Sequence, residues 1–153
     1  MSKQEFKELF TTVLGPEAIN AQGQVELVYA ERELVARAVL SLDEQWVVTD
    51  LFARDLRAFR TDSGPALLRA ILTLNNVAAR IGDYSIGIDE RETLIVTGRL
   101  PLKGLTADEY AAAMVRWLDL VDDLREVVSA IGMEKSSITL GTFEAAPSME
   151  IQI

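Results

Sequence analysis

Cysteine and histidine are both missing from this chain of 153 residues. Without cysteine there are no disulfides, no thiolate metal sites and no thiol nucleophile. Histidine is the commonest general base and the commonest transition-metal ligand, so its absence excludes catalytic triads, zinc–water chemistry and imidazole proton shuttles within a single chain. No apolar run approaches the roughly 18 residues needed to cross a bilayer. The opening MSKQEFKELF lacks the basic-then-apolar layout of a secretory signal. Positive charge is scarce: 15 Lys and Arg face 24 Asp and Glu, a net charge of -9. A field of that sign repels DNA, RNA and anionic membrane surfaces and attracts basic segments of other proteins. The expectation is a soluble, cytoplasmic, non-enzymatic protein with no cofactor, no nucleic-acid partner and no membrane partner.

What is present is periodic. Ser2 and Glu5 have the spacing of a capping box, and Phe6, Leu9, Phe10, Val13 and Leu14 follow as one helical stripe, stopped by Gly15-Pro16. From Gln24 the period changes to two. Val25, Leu27 and Tyr29 share one side of a first strand. Leu34, Ala36, Ala38, Leu40 and Leu42 share one side of a second, with Val35, Arg37, Val39 and Ser41 opposite. Trp46, Val47, Val48, Leu51 and Phe52 make a third. Short turns between them imply an antiparallel meander. Several of these strands are apolar on both faces, more than a sheet with one wet face requires.

Thr61 to Pro65 reads as a helix start. Leu67, Leu68, Ile71, Leu72, Leu74, Val77, Ala78 and Ile81 then occupy more than one stripe up to Gly82, so this helix should be contacted on two sides. Tyr84–Ile88 and Leu94–Leu100 form a hairpin with a charged tip. Thr106 and Glu109 repeat the capping-box spacing. Tyr110, Met114, Trp117, Val121, Leu124, Val128 and Ile131 then keep one seam along a helix of about 25 residues, roughly 37 Å long, with Gly132 as its cap. The fold class is therefore α+β, with an antiparallel five-stranded sheet and the order α-β-β-β-α-β-β-α. Residues 1–132 read as a single domain and 133–153 as an irregular C-terminal tail, with Ile138–Leu140 the place where one strand could be added.

The second half of the sequence carries a resemblance. A leucine-rich helix containing Leu72 and Asn75 precedes a strand ending in Gly87-Ile88-Asp89. A charged turn and a strand closing on Leu100-Pro101-Leu102 follow, and then the helix start Thr106–Tyr110. This pattern resembles the secretion-chaperone-like superfamily, which includes type III secretion chaperones of the Tir-chaperone type and the YbjN-like proteins. The resemblance implies a small acidic homodimer whose sheet and helix grooves hold an extended segment of a secreted or other protein. The stretch Leu120–Leu124 is closer to the YbjN-like branch, which implies the alternative of a regulatory or structural module with no client. The residues expected at a partner or dimer surface are Val35, Val39, Trp46, Val48, Phe52, Leu68 and Leu72.

Other clusters have plainer explanations. Asp119, Asp122 and Glu126 share a helical face and could hold Mg²⁺, but that chemistry needs a second acidic helix, and no other predicted helix carries one. They read as a solvated face, with Arg116 and Arg125 as helix-surface partners. Asp89, Glu90 and Glu92 read as a solubilising hairpin tip. The dispersed Gly82, Gly87, Gly98 and Gly104 form no phosphate loop. Ser63, Ser85 and Thr97 have no histidine to activate them. Met114 and Trp117 fall on the core seam, and Trp46 is open to either core or partner.

Overall fold

The computed structural model describes residues 2–15, 17–57 and 64–139. Helix α1 spans Ser2–Leu14, so it begins on the residue read as its cap. Gly15 ends it with φ 94° and an N–H donated to the Thr11 carbonyl at 2.9 Å. Strands β1 (Gln24–Tyr29), β2 (Leu34–Leu40) and β3 (Trp46–Asp55) follow as an antiparallel meander. A single helical turn, Ala30–Arg32, links the first two. Helix α2 (Gly64–Ile81) leads to the hairpin of β4 (Tyr84–Ile88) and β5 (Thr93–Pro101), and helix α3 covers Ala107–Thr139.

The five strands are all antiparallel in the order β1-β2-β3-β5-β4, because the hairpin inserts its second strand beside β3. α2 then packs against the outermost strand, β4. There Asn75 Oδ1 accepts the Ile86 N–H at 2.9 Å, so a helix side chain satisfies part of an edge that would otherwise be open to pairing.

The core lies between one sheet face and α1 and α3. Val25, Leu34, Ala36, Ala38, Val47, Leu51, Leu94 and Val96 point into it from the strands, as the period of two requires. All seven residues of the α3 seam are buried. Phe6, Phe10, Tyr110 and Trp117 form an aromatic ladder, with successive ring centroids 5.0, 5.1 and 6.4 Å apart. Burying each large side chain of this kind contributes about 1.5–3 kcal/mol. The Thr106–Glu109 capping box is present with both bonds: Glu109 N–H to Thr106 Oγ1 at 3.1 Å, and Thr106 N–H to Glu109 Oε2 at 3.2 Å.

Three expectations need correction. Gly132 does not cap α3; the helix runs through it to Thr139, because a glycine in mid-helix costs only about 1 kcal/mol and nothing after it stops the ladder. Residues 133–139, Ile138 among them, are therefore helical, and 140–153 lie outside the described residues. Leu42 is not on the inner face but fully exposed in the β2–β3 turn, since β2 ends at Leu40. Leu14, at the very end of α1, is likewise exposed. The Thr61–Ser63 start signal lies outside the described residues.

The buried hydroxyl pair Thr49–Tyr110 joins β3 to α3 at 2.7 Å. Burial pushes the Tyr110 phenol well above the ordinary tyrosine value, an effect reduced by the Thr49 hydrogen bond and reinforced by Tyr29. A raised pKa means that the neutral phenol stabilises the fold below the usual ionisation near about 10, and that this stability is lost as pH rises above it. Ultraviolet difference titration should find one tyrosine ionising only as the protein unfolds. Tyr110→Phe should cost about 1–2 kcal/mol in urea melts by leaving Thr49 unpaired, and should soften the alkaline loss. A Tyr110 that titrates with the free tyrosines would contradict this.

Candidate functional site

The second face of the sheet is built by the alternate residues of the same strands. Cross-strand register arranges them in rows. The row nearest the β1–β2 turn is Val28–Val35–Phe52–Ile95, ending at Gly87 on β4. The middle row is Glu26–Arg37–Asp50–Thr97–Ser85, with Thr97 Oγ1 donating to Asp50 Oδ1 at 2.8 Å. The far row is Gln24–Val39–Val48–Arg99, and Trp46 lies beyond it opposite Pro101. Among the described residues the helices occupy the other face and the β4 edge, which leaves this outer face open. Val28 is 64% exposed and Val35 38%, while Val39, Trp46, Val48, Phe52 and Ile95 are half-buried by their neighbours. Four apolar side chains thus form one continuous row that no helix of the described fold covers.

Two arginines stand on this face over aromatic rings. The Arg99 guanidinium carbon lies 4.1 Å from the Trp46 ring centroid, and that of Arg37 lies 5.4 Å from the Phe52 centroid. Each such contact is worth about 0.5–1 kcal/mol at an exposed site. Its more useful consequence is that it spreads a rigid, planar donor over apolar surface. Among the described residues neither guanidinium has a carboxylate within salt-bridge distance. Their donors are therefore available to carbonyls or carboxylates of an incoming chain. Trp46, Val48, Tyr84, Ser85, Thr97 and Arg99 line a shallow depression at this end.

The expected surface residues fall in two places. Val35, Val39, Trp46, Val48 and Phe52 all lie on the outer face. Leu68 (51% exposed) and Leu72 (59%) lie together on the flank of α2 that faces away from the core. Among the described residues α2 is contacted on one side: Leu67, Ile71 and Ala78 are buried, and the Leu68–Leu72 flank is exposed.

The acidic face of α3 proves to be an anchor. Asp122 and Asp119 bind Arg32 of the β1–β2 turn at 2.8 and 3.4 Å. The arginines assigned to them go elsewhere: Arg116 pairs with Asp83 at 2.7 Å, and Arg125 donates to backbone carbonyls. Among the described residues no group of three acidic side chains could hold a metal. Asp89 serves its own hairpin tip, accepting the N–H groups of Arg91 and Thr93, each at 2.9 Å. Trp117 and Met114 are core residues. The sequence reading missed Val28 and Ile95 as members of the apolar row, since membership depends on strand register. The only available signal was an apolar residue on the second face of each of these strands.

An antiparallel five-stranded sheet with α1 and α3 on one face and α2 at the β4 edge is the fold of this chain, and solved structures share it. Three solved structures make the likeness concrete. The chain is similar to a chain of the ExsC–ExsE complex, with TM-score 0.65 and 14% identity over 82% of this chain and 92% of that one. It is similar to the Yersinia pestis type III secretion chaperone SycH in complex with a stable fragment of YscM2, with TM-score 0.57 and 18% identity over 80% and 98%. It is also similar to the HopA1–SchA chaperone–effector complex, with TM-score 0.61 and 16% identity over 82% and 97%. No protein-family model matches the sequence, and no curated protein matches it closely. No helix among the described residues is long and apolar enough to cross a membrane.

Proposed function

We propose that this protein is a non-enzymatic binding module, type III secretion chaperone-like, that holds an extended segment of another protein on its open sheet face while paired with a second copy of itself. The observation that carries this reading is the uncovered Val28–Val35–Phe52–Ile95 row, flanked by two ring-stacked arginines. An extended chain presents side chains at a period of two, which suits pockets between the rows of a sheet, and its carbonyls suit exposed guanidinium donors. The three solved complexes named above, each pairing a chain of this fold with a different protein, support a partner-holding role. The bare Leu68–Leu72 flank is the surface we assign to self-association, because two copies can bury it symmetrically.

Affinity capture and light scattering test the two halves separately. The native chain should scatter as a dimer and retain a defined partner. Val28→Asp with Val35→Asp should abolish retention and leave the dimer and the circular dichroism spectrum intact. Leu68→Asp with Leu72→Asp should yield monomers. A dimer that retains nothing, whatever the state of the face, would replace this reading with that of a YbjN-like module whose only contact is itself.

A further inference from the structure

We infer that the partner segment held on the outer face carries a basic side chain, Lys or Arg, two residues from an apolar one on either side, and that Asp50 and Glu26 receive it. The inference rests on the reading of that face as the binding surface and adds the chemistry of what it selects.

The outer face is layered. Its rows lie two residues apart along each strand, about 7 Å, so the Val28–Val35–Phe52–Ile95 row and the Val39–Val48 row stand about 14 Å apart with the polar row between them. An extended chain laid along β3 presents its facing side chains at the same interval. One apolar residue then meets Phe52, the residue two further on meets Asp50, and the next but one meets Val48. The pattern that fits is apolar–x–charged–x–apolar.

The sign of that charge follows from the middle row. Glu26 and Asp50 are the cross-strand neighbours of Arg37. Among the described residues neither carboxylate has a Lys or Arg nitrogen within salt-bridge distance, and Arg37 stands over Phe52 instead. Thr97 Oγ1 donates to Asp50 Oδ1 at 2.8 Å, which orients the carboxylate and leaves Oδ2 for an incoming donor. Two carboxylates against one guanidinium make the row negative, on a molecule whose net charge is -9. An incoming cation is drawn to such a row and an incoming carboxylate is repelled. Asp50 is half-buried, so salt screens it less than it screens an exposed carboxylate. Arg37 and Arg99, spread over their rings, are left to the segment's carbonyls.

The probe is a short blocked peptide with Val-Thr-Lys-Thr-Phe at its centre, titrated into the full chain by calorimetry. Trp46 emission gives a second signal, because Trp117 is buried in the core. Replacing the peptide's lysine with glutamate should weaken binding about tenfold, and added salt should narrow the gap. Asp50→Lys should reverse the preference. Glu26→Lys, at an exposed position on the edge strand where folding is not at stake, should reduce it several-fold. A glutamate peptide that binds as tightly as the lysine peptide would overturn the inference, and one that binds more tightly would assign recognition to Arg37. Unchanged discrimination in both variants would overturn it too. All three outcomes leave the proposed function standing, since the face still holds an extended chain. Binding of neither peptide would overturn the inference as well, and retention in the Val28→Asp, Val35→Asp variant then decides separately whether the face holds a partner.

Discussion

Gly98→Ala is expected to lower the melting temperature by about 2–12 °C. Gly98 lies in the middle of β5, where glycine is ordinarily unfavourable. Its backbone conformation is not the reason for it. A Cβ built there would come within 2.5 Å of three ring atoms of Trp117. Trp117 is 1% exposed and is held by Tyr110 on one side and the sheet below, so the indole has nowhere to move. Forcing a methyl group into a filled core costs about 1–3 kcal/mol or more, and a chain of this size loses roughly 2–4 °C for each kcal/mol. The double variant decides the cause. Trp117→Leu alone should be destabilising because it opens a cavity, but in that background Gly98→Ala should cost little or even help. Additive losses would show that the glycine serves some purpose other than admitting the ring.

Arg125→Ala is the second large effect, expected at about 3 kcal/mol in denaturant unfolding. The cause is a register fault in the sheet. β3 pairs with β5 through Phe52↔Ile95 and then Arg54↔Leu94, which leaves Ala53 as a bulge with no partner in the ladder. Its carbonyl, part-buried beneath α3, is taken by Arg125 Nε at 2.6 Å. The same guanidinium donates to the carbonyls of Arg32 and Glu33, the latter at 2.9 Å, in the turn where Glu33 adopts φ 49°. One side chain thus satisfies three carbonyls that neither strand nor helix can pair, which suits the five donors of a guanidinium. Removing it leaves two part-buried acceptors without that partner, at about 1–3 kcal/mol, besides losing the charge-assisted bonds. Arg125→Lys should recover only part, because an ammonium cannot reach three acceptors spread around a planar fork. Hydrogen exchange should quicken first at residues 30–34. A lysine variant as stable as the native chain would refute the clamp.

The open face remains in place under both substitutions, since neither touches its rows. Loss of partner retention in the Val28→Asp, Val35→Asp variant is therefore separable from loss of fold. The bulge also matters to the face. It turns Arg54 to the helix side, opposite Leu94, and sets Asp55 opposite Thr93, just beyond the apolar row.

Element order, the two classes of strand face, the α3 seam and the second capping box were all legible in the sequence, because each depends on residues a few positions apart. Hydrophobic spacing of two or of three and four states which face is buried without reference to anything distant. The helix end at Gly132 was misjudged for the same reason: a glycine stops a helix only if the chain turns there, and here the chain does not. Leu68 and Leu72 could be recognised as surplus apolar residues, but which of α2's stripes stays bare depended on the approach of β4. Only the tertiary structure could decide the strand order with β5 beside β3, the assembly of Val28, Val35, Phe52 and Ile95 into one row, the stacking of Arg37 and Arg99 on their rings, and the use of Arg125 as a clamp. Each of these joins residues tens of positions apart through strand register. A shift of one residue in that register would send every side chain of the strand to the opposite face.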